Sequence, residues 1–403
     1  MNGHYVRVLA IAAGVAILAA CSGGSNNPTL PGGTTGATSQ QMAPNGGTGT
    51  AQAVCGAVQK GYARCFAWVR TDIAPKMGMQ PNVSGWSPSQ LQTAYNLPSS
   101  SKGTGQVIAL VDAYDNPNAE SDLGTYRSQF GLPSCTTSNG CFKKVNQTGG
   151  TSYPPGNHNW GLEEDLDIQM ASAICPNCHI VLVEATDNSF KNLAIAEKQA
   201  VTQGAGQISN SYGGGEFSKS NKSYAHKGVV ITASSGDNGY GAQQPCSWAS
   251  VVCVGGTTLT NVSPRTEGGW TGAGSGCSAF VPKPAYQTDK GCTMRSESDV
   301  SAVANPAFGV AEYDSYGYGG WIVIGGTSVA SPIIASAFAL AQNHATQHAA
   351  KGIWAAGGGP NLNDITTGGK NGNCPSQYLY ICQPGVGYDG PTGWGTPNGV
   401  GAF

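Results

Sequence analysis

Residues 325–332 read Gly-Gly-Thr-Ser-Val-Ala-Ser-Pro, and the apolar run 333–341 follows directly. The run predicts a buried helix, so Ser328 is expected at a helix N-terminus, where free backbone N–H groups favour a developing negative charge. The two glycines before it allow other backbone to approach closely. Ser328 is therefore a candidate nucleophile. A hydroxyl residue that only caps a buried helix would explain the same motif.

A second motif, Gly-Leu-Glu-Glu-Asp-Leu-Asp-Ile at residues 161–168, carries carboxylates at helical spacing. Glu163 and Asp167 are four residues apart, which places both on one helix face about one turn from each other. Like charges at this distance resist joint ionisation, so one proton is held between them and the pKa of the pair rises. The motif predicts a paired-carboxylate site.

A third acidic residue follows the apolar run 228–234, which predicts a buried strand. The sequence Ser-Gly-Asp at residues 235–237 then forms a loop at the carboxyl end of that strand, where the ligands and catalytic groups of open α/β sheets collect. When protonated, Asp237 could donate a hydrogen bond to an oxyanion, and this requires acid conditions.

Histidine is not placed to act as a base, because none of the six histidines lies in the helix-start motif that a subtilisin-type triad needs. Residues 105–112 predict the first core strand, and Asp112 ends it where subtilisins keep their triad aspartate. We favour a turn role for Asp112, with Asp115 and Asn116. A subtilisin-type peptidase that uses Asp112, an unidentified histidine and Ser328 stays as an alternative.

Taken together, the three motifs resemble those of the sedolisins, or serine-carboxyl peptidases, relatives of subtilisin that replace histidine with glutamate. The resemblance implies that Ser328 is the nucleophile and Glu163 its base. It further implies that Asp167 orients Glu163, and that Asp237 stabilises the oxyanion. The implied activity is acid-acting hydrolysis of protein or peptide substrates through an acyl-enzyme, with endopeptidase action expected. An inactive surface lipoprotein that keeps the fold for binding is a second alternative.

The resemblance covers about residues 86–403 and implies a subtilisin-like α/β fold, with a mainly parallel sheet and helices on both faces. It also implies a C-terminal calcium loop, because Asn-Asp-Ile-Thr at residues 363–366 and Gly-Val-Gly-Tyr-Asp at 385–389 resemble that loop. The implied ligands of one structural Ca²⁺ are Asp364, Ile365, Gly385, Gly387 and Asp389. Carboxylate and carbonyl oxygens suit this ion. A turn and a glycine-rich hairpin without an ion would also fit these residues.

The N-terminal part of the chain predicts export. Residues 1–20 are typical of a signal peptide, and Leu-Ala-Ala-Cys at 18–21 resembles a bacterial lipobox, which implies cleavage before Cys21 and its lipidation. Residues 21–53 predict a flexible tether. Residues 54–85 form a short segment where the family carries a long pro-domain, which we expect to be reduced or absent. The expected location is the cell envelope, including the outer membrane, or, with plain secretory cleavage, the medium.

The cysteines fit an oxidising compartment. With Cys21 set aside, the other twelve of the thirteen fall in close pairs along the chain. Pairing between neighbours predicts six small disulfide loops, although spacing alone does not prove connectivity. The pairs are Cys55/Cys65, Cys135/Cys141, Cys175/Cys178, Cys246/Cys253, Cys277/Cys292 and Cys374/Cys382. For the Cys-x-x-Cys pair at 175–178, a structural disulfide is favoured over a redox or half-zinc site.

The composition of the chain argues against some classes of binding partner. Charged residues make up 10% of the chain and the formal net charge is −2, with no basic patch or phosphate-binding loop, which argues against nucleic-acid and nucleotide binding. We expect a monomer that contacts membrane only through a lipid at Cys21. Few ion pairs would be lost as carboxylates protonate, so the composition favours tolerance of acid.

Overall fold

A computed structural model describes residues 49–218, 222–342, 349–372, 374, 375, 377 and 379–403. The signal peptide, the lipobox with Cys21 and nearly all of the tether lie outside the described residues. Within these ranges, no helix combines the length and the apolar character needed to cross a bilayer.

The helices are α1 Pro88–Ala94, α2 Ala119–Gln129, α3 His158–Ile174, α4 Phe190–Thr202, α5 Thr327–Ala341 and α6 Ala350–Ala356. The strands are β1 Ala51–Ala53, β2 Arg64–Cys65, β3 Trp68–Arg70, β4 Val107–Ala113, β5 Phe142–Asn146, β6 His179–Ala185, β7 Gln207–Asn210, β8 Tyr212–Gly215, β9 Val230–Ser234, β10 Gln243–Gln244, β11 Val252–Val262, β12 Arg265–Gly269, β13 Gly276–Pro282, β14 Met294–Glu297, β15 Val300–Val303, β16 Val310–Asp314, β17 Gly320–Gly325, β18 Leu362–Asn363 and β19 Thr396–Pro397.

The central sheet has eight strands in the order β12-β11-β9-β7-β4-β6-β5, with β15 also paired to β11. Every pairing in it is parallel except that between β11 and β12. All residues of β9, and all but the first of β4 and β6, are buried. Because successive side chains point to opposite faces, the layers above and below both cover the sheet. The predicted mainly parallel α/β fold is confirmed.

Helices α3 and α5 pack against each other and on the sheet, and α4 packs on β4 and β6. Helix α5 begins at Thr327, six residues before the apolar run, so Ser328 lies inside its first turn. Pro332 within this helix has no amide hydrogen to donate to the Ser328 carbonyl. That carbonyl instead accepts a hydrogen bond from Ser211 Oγ at 3.2 Å, which links α5 to the residue before β8.

Residues 49–85 are packed against the rest of the described domain. β1 pairs with β3, and β3 pairs with β17, the strand that leads into α5, in an antiparallel sheet completed by β16. β2 pairs separately with β8. Residues 64–70 therefore pair with β17, which leads into the turn before Ser328, and with β8, which follows Ser211.

All six predicted disulfides are confirmed, with partners separated by 3 to 15 residues. Cys175 and Cys178 form one of them, as favoured from the sequence. Each bridge ties a local turn, and together they fit an oxidising compartment.

Candidate active site

Ser328 is fully buried in the first turn of α5. Its Oγ donates to the Ser211 carbonyl at 3.1 Å and accepts from the Phe66 amide at 3.1 Å. Gly326 precedes the helix at φ 102°, a left-handed conformation that favours glycine. The strand-to-helix turn thus presents both the hydroxyl and the amide of Ser328 to the same neighbour, Phe66, whose carbonyl accepts from Ser328 N at 3.3 Å.

Glu163 and Asp167 lie one turn apart on α3, and both are fully buried. Burial raises the pKa of Glu163 well above its ordinary value, and the charges of Asp167 and Asp112 raise it further, whereas the nearby Ser328 hydroxyl lowers it. Ser211 Oγ donates to Asp167 Oδ1 at 2.5 Å. Ser211 is therefore bonded to both Asp167 and Ser328. Neither carboxyl oxygen of Glu163 has a hydrogen-bond partner among the described residues, so no hydrogen bond joins Glu163 to Ser328 in this structure.

Glu164, the neighbouring acid on α3, faces a different cluster. Its Oε2 accepts from the Asn116 amide at 3.1 Å. Burial raises the pKa of Glu164, and the charges of Glu184 and Asp112 add to this. The hydrogen bond of Glu164 thus goes to Asn116, whereas the Ser328 hydroxyl lowers the pKa of Glu163.

Asp237 follows β9 and lies against the start of α5. Its Oδ1 accepts from the Thr327 amide and hydroxyl, both at 2.8 Å. Burial raises the pKa of Asp237 to about 7, although the Thr327 hydrogen bonds and the Arg64 charge act against the shift. A Cβ built on Gly326 would lie 2.9 Å from Asp237 Oδ2 and 1.9 Å from the Phe66 carbonyl oxygen. The second carboxyl oxygen of Asp237 and the Phe66 carbonyl therefore share one small space beside Ser328 N.

Asp112 does not hold the turn that the sequence favoured, because neither of its carboxyl oxygens has a hydrogen-bond partner among the described residues. It is fully buried at the end of β4, and its charge raises the pKa of both Glu163 and Asp167. Burial raises the pKa of Asp112 itself to about 8. Sequence reasoning noticed this residue but could not see that the end of β4 faces α3.

The described histidines have other partners. His179 contacts the Gly140 carbonyl, His226 contacts the Ser223 carbonyl, and the ring of His158 packs against Tyr316. His4, His344 and His348 fall outside the described residues. Among the residues that are described, the hydrogen bonds of the Ser328 hydroxyl go to Phe66 and Ser211, so nothing here supports the subtilisin-type alternative.

The predicted calcium ligands come together near the C-terminus. Asp389 Oδ2 accepts from the Gly385 amide at 3.1 Å, and Asp364 Oδ2 accepts from the Gly387 amide at 2.9 Å. Ile365, the residue after Asp364, is buried. Burial raises the pKa of Asp389 to about 8, and the Asp364 charge adds to the shift. Two carboxylates that repel each other across a turn fit a hard divalent cation, which would relieve that repulsion.

A second acidic cluster, Asp122, Asp165 and Asp314, brings three carboxyl oxygens within 4.8 Å of one another in the core. Burial raises the pKa of all three, most strongly that of Asp165. Asp122 accepts from the Ser315 amide at 2.7 Å, and Asp314 accepts from the Gly317 amide at 2.7 Å. These bonds and raised pKa values fit carboxyls that share protons.

Comparison with known sequences identifies two relatives, although no protein-family profile matches the chain. Kumamolisin from Bacillus sp. (strain MN-32) is 28% identical over 369 residues, covering 79% of this chain and 63% of that protein. Sedolisin from Pseudomonas sp. (strain 101) is 25% identical over 366 residues, covering 78% of this chain and 60% of that protein. The chain thus spans less than two thirds of the length of these relatives.

Comparison with solved structures also finds a similarity to sedolisin. The Pseudomonas sedolisin, a serine-carboxyl proteinase complexed with two molecules of pseudo-iodotyrostatin, superposes with a TM-score of 0.66 at 25% identity. The match covers 79% of this chain and 96% of that one. A psychrophilic protease shares the fold, with a TM-score of 0.51 at 19% identity over 78% of this chain and 99% of that one.

Proposed function

Since the chain belongs to the sedolisin family, we propose that it is a serine-carboxyl peptidase that hydrolyses peptide bonds in protein substrates at acid pH. The observation that carries the proposal is the set of polar groups found around Ser328. The Ser328 hydroxyl is near enough to Glu163 to lower the pKa of that buried carboxyl, whose two oxygens have no hydrogen-bond partner among the described residues. The Phe66 carbonyl, which accepts from the Ser328 amide, shares a small space with Asp237 Oδ2. These residues supply the nucleophile, the base and the two oxyanion donors that the proposed function needs.

In the proposed mechanism, Ser328 Oγ attacks the peptide carbonyl while Glu163 accepts the hydroxyl proton. Asp167, held by Ser211, sets the proton affinity and orientation of Glu163. The Ser328 amide and protonated Asp237 stabilise the oxyanion. Glu163 then returns the proton to the leaving amine, and water hydrolyses the acyl-enzyme by the same route.

The proposal predicts that activity falls as the pH rises through about 7. Asp237 can donate to the oxyanion only while protonated, and burial raises its pKa from the ordinary range to about 7, so the active form persists up to that pH and is lost above it. Initial rates on denatured protein, measured at each pH, test this. Enzyme pre-incubated at each pH and then assayed at one reference pH shows how much of any loss is irreversible inactivation. A rate maximum above pH 7 would contradict the proposal and favour the subtilisin-type alternative. No hydrolysis at any pH would favour the inactive scaffold.

We also propose one structural Ca²⁺ at Asp364, Ile365, Gly385, Gly387 and Asp389. When bound, the ion would supply positive charge between the two carboxylates and join the loop to the residues after β18. Its role would be in stability, because these residues lie in the C-terminal loop and are not among the contacts of Ser328.

Removal of calcium is expected to lower the midpoint of thermal unfolding by about 5 °C or more, because a ligand at a hundred times its Kd stabilises the folded state by about 2.7 kcal/mol. Scanning calorimetry with chelator, and then with Ca²⁺ or Mg²⁺ restored, measures the shift. Asp364→Asn serves as the matched variant, which should melt early and no longer respond to chelator. Identical midpoints with and without chelator in the parent chain would refute the calcium site.

We propose further that the protein is exported, with residues 86–403 as the catalytic domain and a lipid at Cys21 as its only link to a membrane. Six disulfides support export, because such bonds persist in oxidising compartments. The lipid anchor rests on the sequence of residues 18–21 alone.

A further inference from the structure

Thr327, the residue before Ser328, links the start of α5 to the loop that carries Asp237. Its amide and its hydroxyl both donate to Asp237 Oδ1, each at 2.8 Å. The same hydroxyl accepts from the Gly236 amide at 3.1 Å. The Thr327 carbonyl accepts from Ser234 Oγ at 2.8 Å. Four hydrogen bonds therefore hold Thr327 against the end of β9, and two of them meet at a single carboxyl oxygen.

The Thr327 hydroxyl has one hydrogen, and its neighbours fix where that hydrogen points. A hydroxyl donates once and has lone pairs with which it accepts. The Gly236 amide can only donate, so it takes a lone pair of the hydroxyl, and the hydroxyl hydrogen goes to Asp237 Oδ1. On the other side of the side chain, a Cβ built on Gly256 would lie 3.3 Å from the Thr327 methyl group. The methyl group and the hydroxyl are thus held in one orientation.

These donors decide which carboxyl oxygen carries the proton when Asp237 is neutral. A protonated carboxyl has one oxygen that bears the proton and one carbonyl oxygen that only accepts. Oδ1 already accepts from two donors, and a proton placed there would be repelled by the amide hydrogen of Thr327. Oδ2 is buried and has no hydrogen-bond partner among the described residues. The proton of neutral Asp237 therefore belongs on Oδ2.

Oδ2 is also the oxygen of Asp237 that borders the space beside the nucleophile. A Cβ built on Gly326 would lie 2.9 Å from Oδ2 and 1.9 Å from the Phe66 carbonyl oxygen, so both oxygens border one small space. The Phe66 carbonyl accepts from the Ser328 amide at 3.3 Å, and it therefore marks where a carbonyl oxygen lies when that amide binds it. A proton on Oδ2 is available on the side of this space, whereas Oδ1 is bonded to Thr327.

We propose that Thr327 is a positioning residue, which holds the Asp237 carboxyl so that its proton lies on Oδ2 and can be donated to the oxyanion. This inference rests on the proposed peptidase function, and it gives a role to a side chain that the proposed mechanism does not use. Thr327 supplies no proton to the substrate and acts through Asp237. A donor that is already oriented stabilises an oxyanion without any rearrangement during the reaction.

The Thr327 hydroxyl also affects the pH at which the donor is lost. Burial raises the pKa of Asp237 to about 7, and the hydrogen bonds from Thr327 lower it because they favour the charged carboxylate. The Arg64 charge and the Trp68 indole lower the pKa as well, although neither residue bonds to Oδ2 in this structure. Loss of the Thr327 hydroxyl alone should therefore raise the pKa of Asp237, so that the carboxyl stays protonated to a higher pH.

Thr327→Val tests the proposal, because it replaces the hydroxyl by a methyl group of similar size. We expect kcat on denatured protein at acid pH to fall about tenfold or more, with KM within about twofold, because an oxyanion donor acts in the transition state. The pH above which the rate falls should at the same time move upward. Thr327→Ser, which keeps the hydroxyl, should restore both the rate and this pH limit to those of the parent chain.

Thr232→Val is the matched control, because Thr232 is a buried threonine of β9 whose hydroxyl is bonded to Ile208 and Ser331. It should keep the kcat and the pH limit of the parent chain. Thermal unfolding of the three variants shows how far each change loosens the fold. A loosened loop would expose Asp237 to water and return its pKa toward the ordinary value, so a purely structural effect would move the pH limit downward.

A pH limit that stays in place or moves downward in Thr327→Val would overturn the role of Thr327 and leave the proposed function standing. An unchanged kcat in that variant, a lowered kcat that serine does not restore, or equal changes in Thr232→Val would also overturn it. Absence of hydrolysis by the parent chain at every pH would instead remove the peptidase function, and the role of Thr327 with it.

Discussion

Ser328→Ala should lower kcat on denatured protein by about a millionfold, the loss seen when a serine peptidase loses its nucleophile. The reason is that the acyl-enzyme forms on the Ser328 hydroxyl, so covalent catalysis ends when this atom is removed. Active-site titration and steady-state kinetics measure the loss.

The matched control is Ser331→Ala, a buried serine one turn further along α5. Ser331 Oγ bonds to Ser209 Oγ at 2.8 Å and to Thr232 Oγ1 at 3.0 Å, so its loss removes structural hydrogen bonds only. It should lower the free energy of unfolding by about 1 kcal/mol and keep kcat within a few-fold of the parent. Measurable turnover in Ser328→Ala, beyond a trace of parent enzyme, would show that the nucleophile has been misassigned.

Glu163→Gln should lower kcat by about ten-thousandfold, because the amide keeps the size of the side chain and cannot accept the Ser328 proton. Glu164→Gln provides an unusually close comparison, since this residue is the next one in the chain and is equally buried. It should retain kcat within about tenfold, because Glu164 accepts from the Asn116 amide and has no role in the proposed proton transfer. Thermal unfolding of both variants shows whether either change acts through the fold.

The opposite ranking, with Glu164→Gln inactive and Glu163→Gln active, would mean that the other face of α3 carries the base. Equal losses with equally lowered melting temperatures would mean that both residues act through stability. The kinetic comparison therefore decides the role of Glu163 independently of the resemblance to known peptidases.

Local sequence was sufficient for much of the fold. The strand before Asp112, the helix that carries Glu163 and all six disulfides follow from patterns within about fifteen residues. The start of α5 was missed because Gly-Thr-Ser has poor helix propensity, and burial of the whole first turn overrides it.

Contacts between distant segments could not be predicted in the same way. Spacing alone could not separate Glu163 from Glu164, because α3 is buried on every side from Trp160 onward. Phe66 and Ser328 are 262 residues apart, and residues 54–70 carry no periodic pattern that points to the active site. The position of Asp112 beside the acid pair likewise depends on how the sheet packs on α3.

The Cys55–Cys65 bridge has a consequence for the response of the N-terminal segment to proteolysis. No other disulfide of the described chain joins residues 49–66 to the remainder, and residues 56–60, inside the loop that this bridge closes, are exposed. A protease that cut within residues 56–60 would leave the two pieces joined through the two sulfur atoms. The nicked protein would therefore keep β1 attached in an oxidising compartment, and a reductant would turn that strand into a separate peptide.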